Sequence, residues 1–111
     1  GMKSAYNGKV VILVNEQTQS SAEYHTMAFR ASQIATVVGS TTAGADGNIS
    51  PITLPGGIVT NISGIGVYYP DGTETQRVGI VPDVVVTPTL RGFIEGRDEV
   101  LEKAVQIIEG K

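Results

Sequence analysis

The chain has 111 residues, a formal net charge of −3, 41% hydrophobic and 17% charged residues, 14 glycines and no cysteine. That is one globular, turn-rich domain or part of one, large enough to bury a core. The mild acidity without any Lys/Arg run argues against nucleic acid or an anionic membrane as partner, and no apolar stretch approaches the roughly 20 residues of a membrane span.

Absence of cysteine removes disulfides, thiolate catalysis and Cys-based metal sites, and one histidine cannot form a metal cluster alone. No metal or organic cofactor is therefore expected. Residues 1–2, Gly1-Met2, read as a tag scar and start methionine set aside from the fold. Residues 3–111 read as a domain piece from a longer protein.

Lys9 to Val14 holds five consecutive apolar residues after an Asn7-Gly8 turn. A continuous run predicts a central, parallel strand covered on both faces. The polar turn Asn15–Gln19 follows, and then a helical pattern from Ser20 to about Ile34. Ser20 with Glu23 three residues later forms a capping box, which needs no catalysis. A serine on a strand–turn–helix junction also lies beside unpaired N–H groups that can stabilise an oxyanion, a geometry nucleophilic hydrolases use. From these residues alone both readings stand.

Along the helix, Tyr24, Met27/Ala28, Ala31 and Ile34 share one stripe and predict its buried face. His25 lies off it. Five residues from Ser20 is a rotation of about 500°, so His25 points elsewhere and reads as an ordinary exposed helix residue rather than a base. Ala35–Gly39 is a second short strand, completing a βαβ unit with a right-handed crossover. Ser40–Asn48 is a loop just past that strand's end, where α/β folds place ligands or simply run a surface connection. No Gly-Lys-Ser/Thr ending makes it a phosphate loop.

From Ile49 the period changes. Ile49–Leu54 and Ile58–Ile62 predict a hairpin turning on Pro55-Gly56-Gly57, and Ile65–Tyr69 a further strand before the Pro70-Asp71-Gly72-Thr73 turn. Tyr68 and Tyr69 read as packing residues. Val78–Asp83 leads into a strand at Val84–Val86 that Pro88 ends. A last helix starts near Asp98, a good N-cap, with Val100/Leu101, Ala104/Val105 and Ile108 as its buried stripe. The fold class is α/β: a central βαβ unit, short strands, and a C-terminal helix.

Taken together, these motifs resemble the tail-specific, or C-terminal-processing, serine peptidases and their tricorn-core and interphotoreceptor retinoid-binding relatives. The residues that carry the resemblance are the strand ending at Asn15, then Gln19-Ser20-Ser21-Ala22-Glu23, Val37-Val38-Gly39 and Thr42-Ala43-Gly44. Leu54-Pro55-Gly56-Gly57, Tyr69-Pro70-Asp71-Gly72, Gly79-Ile80-Val81-Pro82-Asp83 and Gly96-Arg97-Asp98-Glu99 continue it across nearly the whole chain.

The resemblance implies a partial ClpP/crotonase-like ββα superhelical domain, with residues 3–111 as the C-terminal half of the catalytic domain. It implies Ser20 as attacking nucleophile, Ser21 as backbone oxyanion donor, and a protein or peptide as substrate. The bacterial and plastid processing peptidases carry a general-base lysine in a Gly-Lys-Gly loop, where this chain has Gly44-Ala45-Asp46-Gly47. Alanine accepts no proton, so a Ser–Lys dyad is ruled out here. Two readings follow: the tricorn-like branch, with a histidine base from an earlier part of the domain, or a pseudoenzyme or binding module like the retinoid-binding relatives. The sequence places no acidic partner for that base. The resemblance also points to the periplasm or cell envelope, and a half-domain is expected to self-associate through exposed strand edges.

Overall fold

The computed structural model describes residues 6–111, so the reading of Gly1-Met2 as a scar lies outside the described residues. Eight elements follow one another: β1 (Val10–Val14), α1 (Ser21–Ala31), β2 (Ala35–Gly39), β3 (Asn48–Thr53), β4 (Val59–Ile65), β5 (Val84–Val85), α2 (Leu90–Ile94) and α3 (Glu99–Glu109). β1 and β2 pair in parallel from Val10↔Ala35 to Val14↔Gly39, and β5 adds to the far side of β2 through Val38↔Val84 and Gly39↔Val85. The predicted strand–helix–strand unit is therefore present, with β2 in the middle.

That order corrects one expectation. β1 is an edge strand and Leu13 is 41% exposed, whereas β2 is the strand covered on both faces, with Val37 and Val38 fully buried. Successive residues of a strand face opposite sides, so each side of β2 has its own cover. Val37 packs with Val14, Met27 of α1 and Ile80, while α3 lies on β1 and β2 and buries Ala104. Gly39 permits the close approach within the sheet. It sits at φ 135°, and a Cβ there would stand 1.8 Å from the Val14 carbonyl oxygen.

β3 and β4 form a separate antiparallel hairpin, with a register shift between Asn48 and Ile49 and the tip at the predicted Pro-Gly-Gly. The strand expected at Ile65–Tyr69 is not formed. β4 ends at Ile65 and only an isolated Tyr68↔Glu74 bridge follows, because Gly72 N–H and Tyr69 N–H close the Pro70–Thr73 turn instead. Sequence reasoning also missed α2, whose N-cap Thr89 accepts from Gly92 N–H at 2.9 Å. In α3 the predicted cap is real, Asp98 accepting from Leu101 N–H, but of the expected stripe only Ala104 is buried.

Every residue of β4 is exposed, including Val59, Ile62 and Ile65. The radius of gyration is 17.5 Å, well above the about 13 Å of a compact 100-residue domain. A two-stranded hairpin with no cover is marginal in water, so much of the apolar surface has no partner within the described residues. Among those residues no helix is long and apolar enough to cross a membrane.

Candidate active site

The turn between β1 and α1 is wound on itself. Asn15 Oδ1 accepts from Gln17 N–H at 3.0 Å, Thr18 N–H returns to the Asn15 carbonyl, and Asn15 N–H donates to the Thr18 hydroxyl. This short turn delivers Ser20 to the head of α1 in an uncommon backbone conformation, φ 55° and ψ −126°. An ordinary N-cap lies in the β region and accepts a backbone N–H through its side chain. Thr89 and Asp98 in this same chain do both, at φ −96° and −104°. Ser20 departs from this: the capping box read from sequence is present, with the Ser20 hydroxyl facing the Glu23 N–H and the Ser20 N–H donating to Glu23, but the hydroxyl makes no cap hydrogen bond of ordinary geometry, and the Glu23 N–H goes to the Ser20 carbonyl at 2.9 Å.

A non-glycine residue in such a region costs about 1–3 kcal/mol and persists only where its surroundings over-determine it. Glu23 supplies that constraint. Its side chain is fully buried, and Oε2 accepts from Ser20 N–H at 3.1 Å and from Ala45 N–H at 3.0 Å. Oε1 accepts from Gly44 N–H at 2.7 Å and from the Thr42 hydroxyl. One carboxylate thus clamps the serine elbow to the loop after β2, and the Ser20 and Ala45 nitrogens lie within about 6 Å of each other.

That loop is held from a second side. Thr42 Oγ1 accepts from Ile80 N–H at 2.7 Å, Ala43 N–H donates to Thr18, and Arg77 N–H donates to Gly44. Gly79, at φ 77°, lets the two backbones touch, since a Cβ there would meet the Thr42 carbonyl oxygen at 2.5 Å. Four residues on, Asp83 Oδ2 accepts from Val37 N–H and Oδ1 pairs with Arg30 of α1 at 2.5 Å. The Gly79–Asp83 stretch is therefore a brace behind the elbow. In the turn itself, Glu16 accepts from the Ser40 hydroxyl at 2.9 Å. A backbone hydrogen bond at Glu16, followed by that hydroxyl, holds its carboxyl below the ordinary value of 4.5.

Ser20 and Ser21 open onto a cavity of about 700 Å³. Tyr24, Met27, Ala28 and Ala31 make one wall, and Ile65, Gly66, Val67 and Tyr68 the other. The stripe read from sequence as the buried face of α1 is mainly this wall. Tyr24 is half exposed, while the buried positions are Glu23, Thr26 and Met27. Ile34 lies beyond the helix end.

Among the described residues the Ser21 N–H donates to no acceptor, whereas those of Ala22, Glu23 and Tyr24 return to Gln19 and Ser20 carbonyls. A free donor beside a hydroxyl at the positive end of a helix can stabilise a developing oxyanion. His25 is elsewhere. It is exposed, and its Nδ1–H donates to the Ser21 carbonyl at 2.5 Å, away from the cavity. No histidine or lysine lines the cavity among the described residues.

Two further residues were not singled out by sequence as site residues. Thr42 entered only as part of the Thr42-Ala43-Gly44 motif, with no role assigned to its hydroxyl. Asp46, between two glycines in that loop, is buried and lines the same cavity as Ser20.

The model for peptidase family S41 matches residues 2–86. "Putative tricorn protease homolog 2" of Streptomyces coelicolor (strain ATCC BAA-471 / A3(2) / M145) is 31% identical over 113 residues, covering 94% of this chain and 9% of the relative. Among solved structures, a "putative peptidase" from Parabacteroides merdae ATCC 43184 superposes with a TM-score of 0.82 at 27% identity, over 93% of this chain and 32% of that one. The tricorn protease does so at 0.81 and 24% identity, over 93% of this chain and 10% of its own. The chain therefore spans a third or less of each of these relatives.

Proposed function

The chain belongs to peptidase family S41, and from that premise we propose that it is the C-terminal part of a catalytic domain that cleaves peptide bonds through an acyl-enzyme on Ser20. The observation that carries this reading is the elbow: Ser20 is held at φ 55°, its hydroxyl in no cap hydrogen bond of ordinary geometry, at the rim of the cavity. Strain of this kind has no use in a cap and is what presents a nucleophile on a sharp strand-to-helix turn.

In the reaction, Ser20 Oγ attacks the scissile carbonyl carbon as its proton passes to a base. The carbonyl oxygen becomes an oxyanion facing the Ser21 N–H. Collapse expels the amine, which takes the proton from the base, and water releases the acyl group by the same steps. Substrates are proteins or peptides, whose backbone can lie between α1 and the 65–68 segment.

The base comes from sequence outside this chain. Ala45, where the processing peptidases resembled here carry lysine, sits beside the elbow and accepts no proton. We assign the base to a histidine, as in the tricorn-like branch, with the missing part completing a ClpP/crotonase-like stack over the exposed hairpin. The test is Ser20→Ala in the full-length parent. Loss of peptidase activity by at least about 10³-fold, together with loss of fluorophosphonate labelling, is expected. Turnover that survives Ser20→Ala defeats the assignment, and a parent that binds peptides without cleaving or labelling belongs to the binding-module reading.

A further inference from the structure

The segment that faces α1 across the cavity has one side bound and one side bare. Tyr68 and Glu74 form an isolated antiparallel bridge, flanked by Tyr69 N–H to the Thr73 carbonyl at 2.9 Å and Thr75 N–H to the Val67 carbonyl at 3.3 Å. Val67 and Tyr69 thus turn their bonded groups toward residues 73–75. Backbone groups alternate in direction along an extended chain, so Gly66 and Tyr68 turn theirs the other way. Among the described residues, the N–H and C=O of Gly66 and of Tyr68 have no hydrogen-bond partner. Both residues are exposed, and both line the cavity that Ser20 lines.

An open strand edge invites another strand, and native proteins guard such edges with charge, bulges or proline. Charge does not guard this one, since no residue from Gly47 to Pro70 is charged. Gly66 has no side chain, and the Tyr68 ring lies across it: a Cβ there would stand 2.5 Å from Tyr68 Cε2. The stretch therefore offers bare backbone on the cavity of the serine. Its length is bounded, because Tyr69 is committed to the turn and Pro70 has no N–H to give.

Resting on the functional reading above, we infer that residues 66–68 are a strand-addition edge for the substrate. An extended peptide pairs its main chain with Gly66 and Tyr68 through residues two apart, and so runs along the cavity that holds Ser20. Selection is by backbone rather than by side chain. The site takes unfolded segments and rejects proline or an N-alkylated residue at the paired positions.

The test is an N-methyl scan of a fluorogenic peptide cleaved by the full-length parent. Each methylation removes one peptide N–H and leaves the protein unchanged. Two positions, two residues apart, should each lower kcat/KM by about tenfold or more, while the position between them stays within about threefold. Tyr68→Pro removes the protein's own N–H from the same pairing. It should lower kcat/KM for the unmethylated peptide by about tenfold and make one of the two methylations nearly neutral, because both changes break one pair. Tyr68→Ala keeps the backbone and loses only the ring, so the alternating profile should persist in it. The scan on the unchanged parent decides even where Tyr68→Pro does not fold.

A parent that cleaves through Ser20 with a flat profile, or with an alternating one that Tyr68→Pro leaves intact, overturns the inference and leaves the peptidase reading standing. That is the result expected if a strand from elsewhere in the parent occupies this edge. A parent that neither cleaves nor labels at Ser20 removes the functional reading, and the inference with it.

Discussion

Replacing Glu23 by glutamine changes one atom and breaks the elbow. The carboxylate offers two acceptors, each holding two donors: Oε2 the Ser20 and Ala45 N–H groups, Oε1 the Gly44 N–H and the Thr42 hydroxyl. An amide offers one acceptor and two protons, so in either flip its NH₂ faces donors that cannot turn away. The Thr42 hydroxyl can rotate, since its oxygen already accepts from Ile80 N–H, but the Gly44 or the Ser20 and Ala45 N–H groups are left orphaned. A buried orphan costs about 1–3 kcal/mol, and the surviving contacts fall from charge-assisted to neutral strength. The expected loss is about 2–4 kcal/mol, and for Glu23→Ala about 3–5 kcal/mol. For a domain near 100 residues that lowers Tm by about 10 °C or more. Thermal unfolding followed by circular dichroism measures it, with fluorophosphonate labelling of the parent as the functional readout. A Glu23→Gln melt within 3 °C of the unchanged chain, with labelling intact, would refute the claim that this carboxylate sets the strained turn.

Gly39→Ala should destabilise by more than about 3 kcal/mol in urea titrations, because the new Cβ collides with the Val14 backbone at a positive φ; a loss under 1 kcal/mol is the contrary outcome. Ser20→Gly should raise stability by about 1 kcal/mol, through release of backbone strain, while the parent loses activity; a drop in stability would mean that the hydroxyl or Cβ is structural. The Glu16 carboxyl should titrate below 4.5 by NMR. Its depressed value means that its contribution is complete above the unfolded pKa and fades as pH falls through the folded one; a midpoint at or above 4.5 contradicts the backbone hydrogen bond at Glu16 together with the Ser40 contact. Light scattering across a dilution series should find the 111-residue chain self-associated through the uncovered β3–β4 face, and a clean monomer at high concentration is the contrary result.

Local signals in the sequence were reliable where one element decides its own fate. The Val10–Val14 run, the Pro55-Gly56-Gly57 tip and the Asp98 cap each carry their own physics, and each is in place. Signals that depend on a distant partner were not. Val10–Val14 reads as a central strand because all five residues are apolar, but rank within a sheet depends on what pairs beyond it, and here the described chain stops pairing at β1. α2 escaped because five residues from Leu90 are too few to show a period. At the site, the serine and its helix were legible, but the positive φ that sets Ser20 apart from the Thr89 and Asp98 caps was not. Glu23 was legible as half of a capping box, while its remaining donors come from residues 19 to 22 positions away.

The same limit explains the apolar stripe on α1. Tyr24, Ala28 and Ala31 repeat at helical spacing as a core face does, and nothing in the period separates a packed face from the wall of a cavity. What separates them is the opposite side, where Ile65–Tyr68 stands off far enough to leave about 700 Å³. Because Ser20 lines the same cavity as that wall, a stripe that would fill a core elsewhere faces the space beside a hydroxyl instead. An apolar approach also keeps water away from the serine, and so strengthens the hydrogen bonds and charges that act there. The chain can leave this face open because rigidity comes from the other side of α1, where Glu23 and Thr26 are buried and Arg30 is tied to Asp83. One helix thus divides its labour by face, anchoring with its polar buried side and offering its apolar side to what enters.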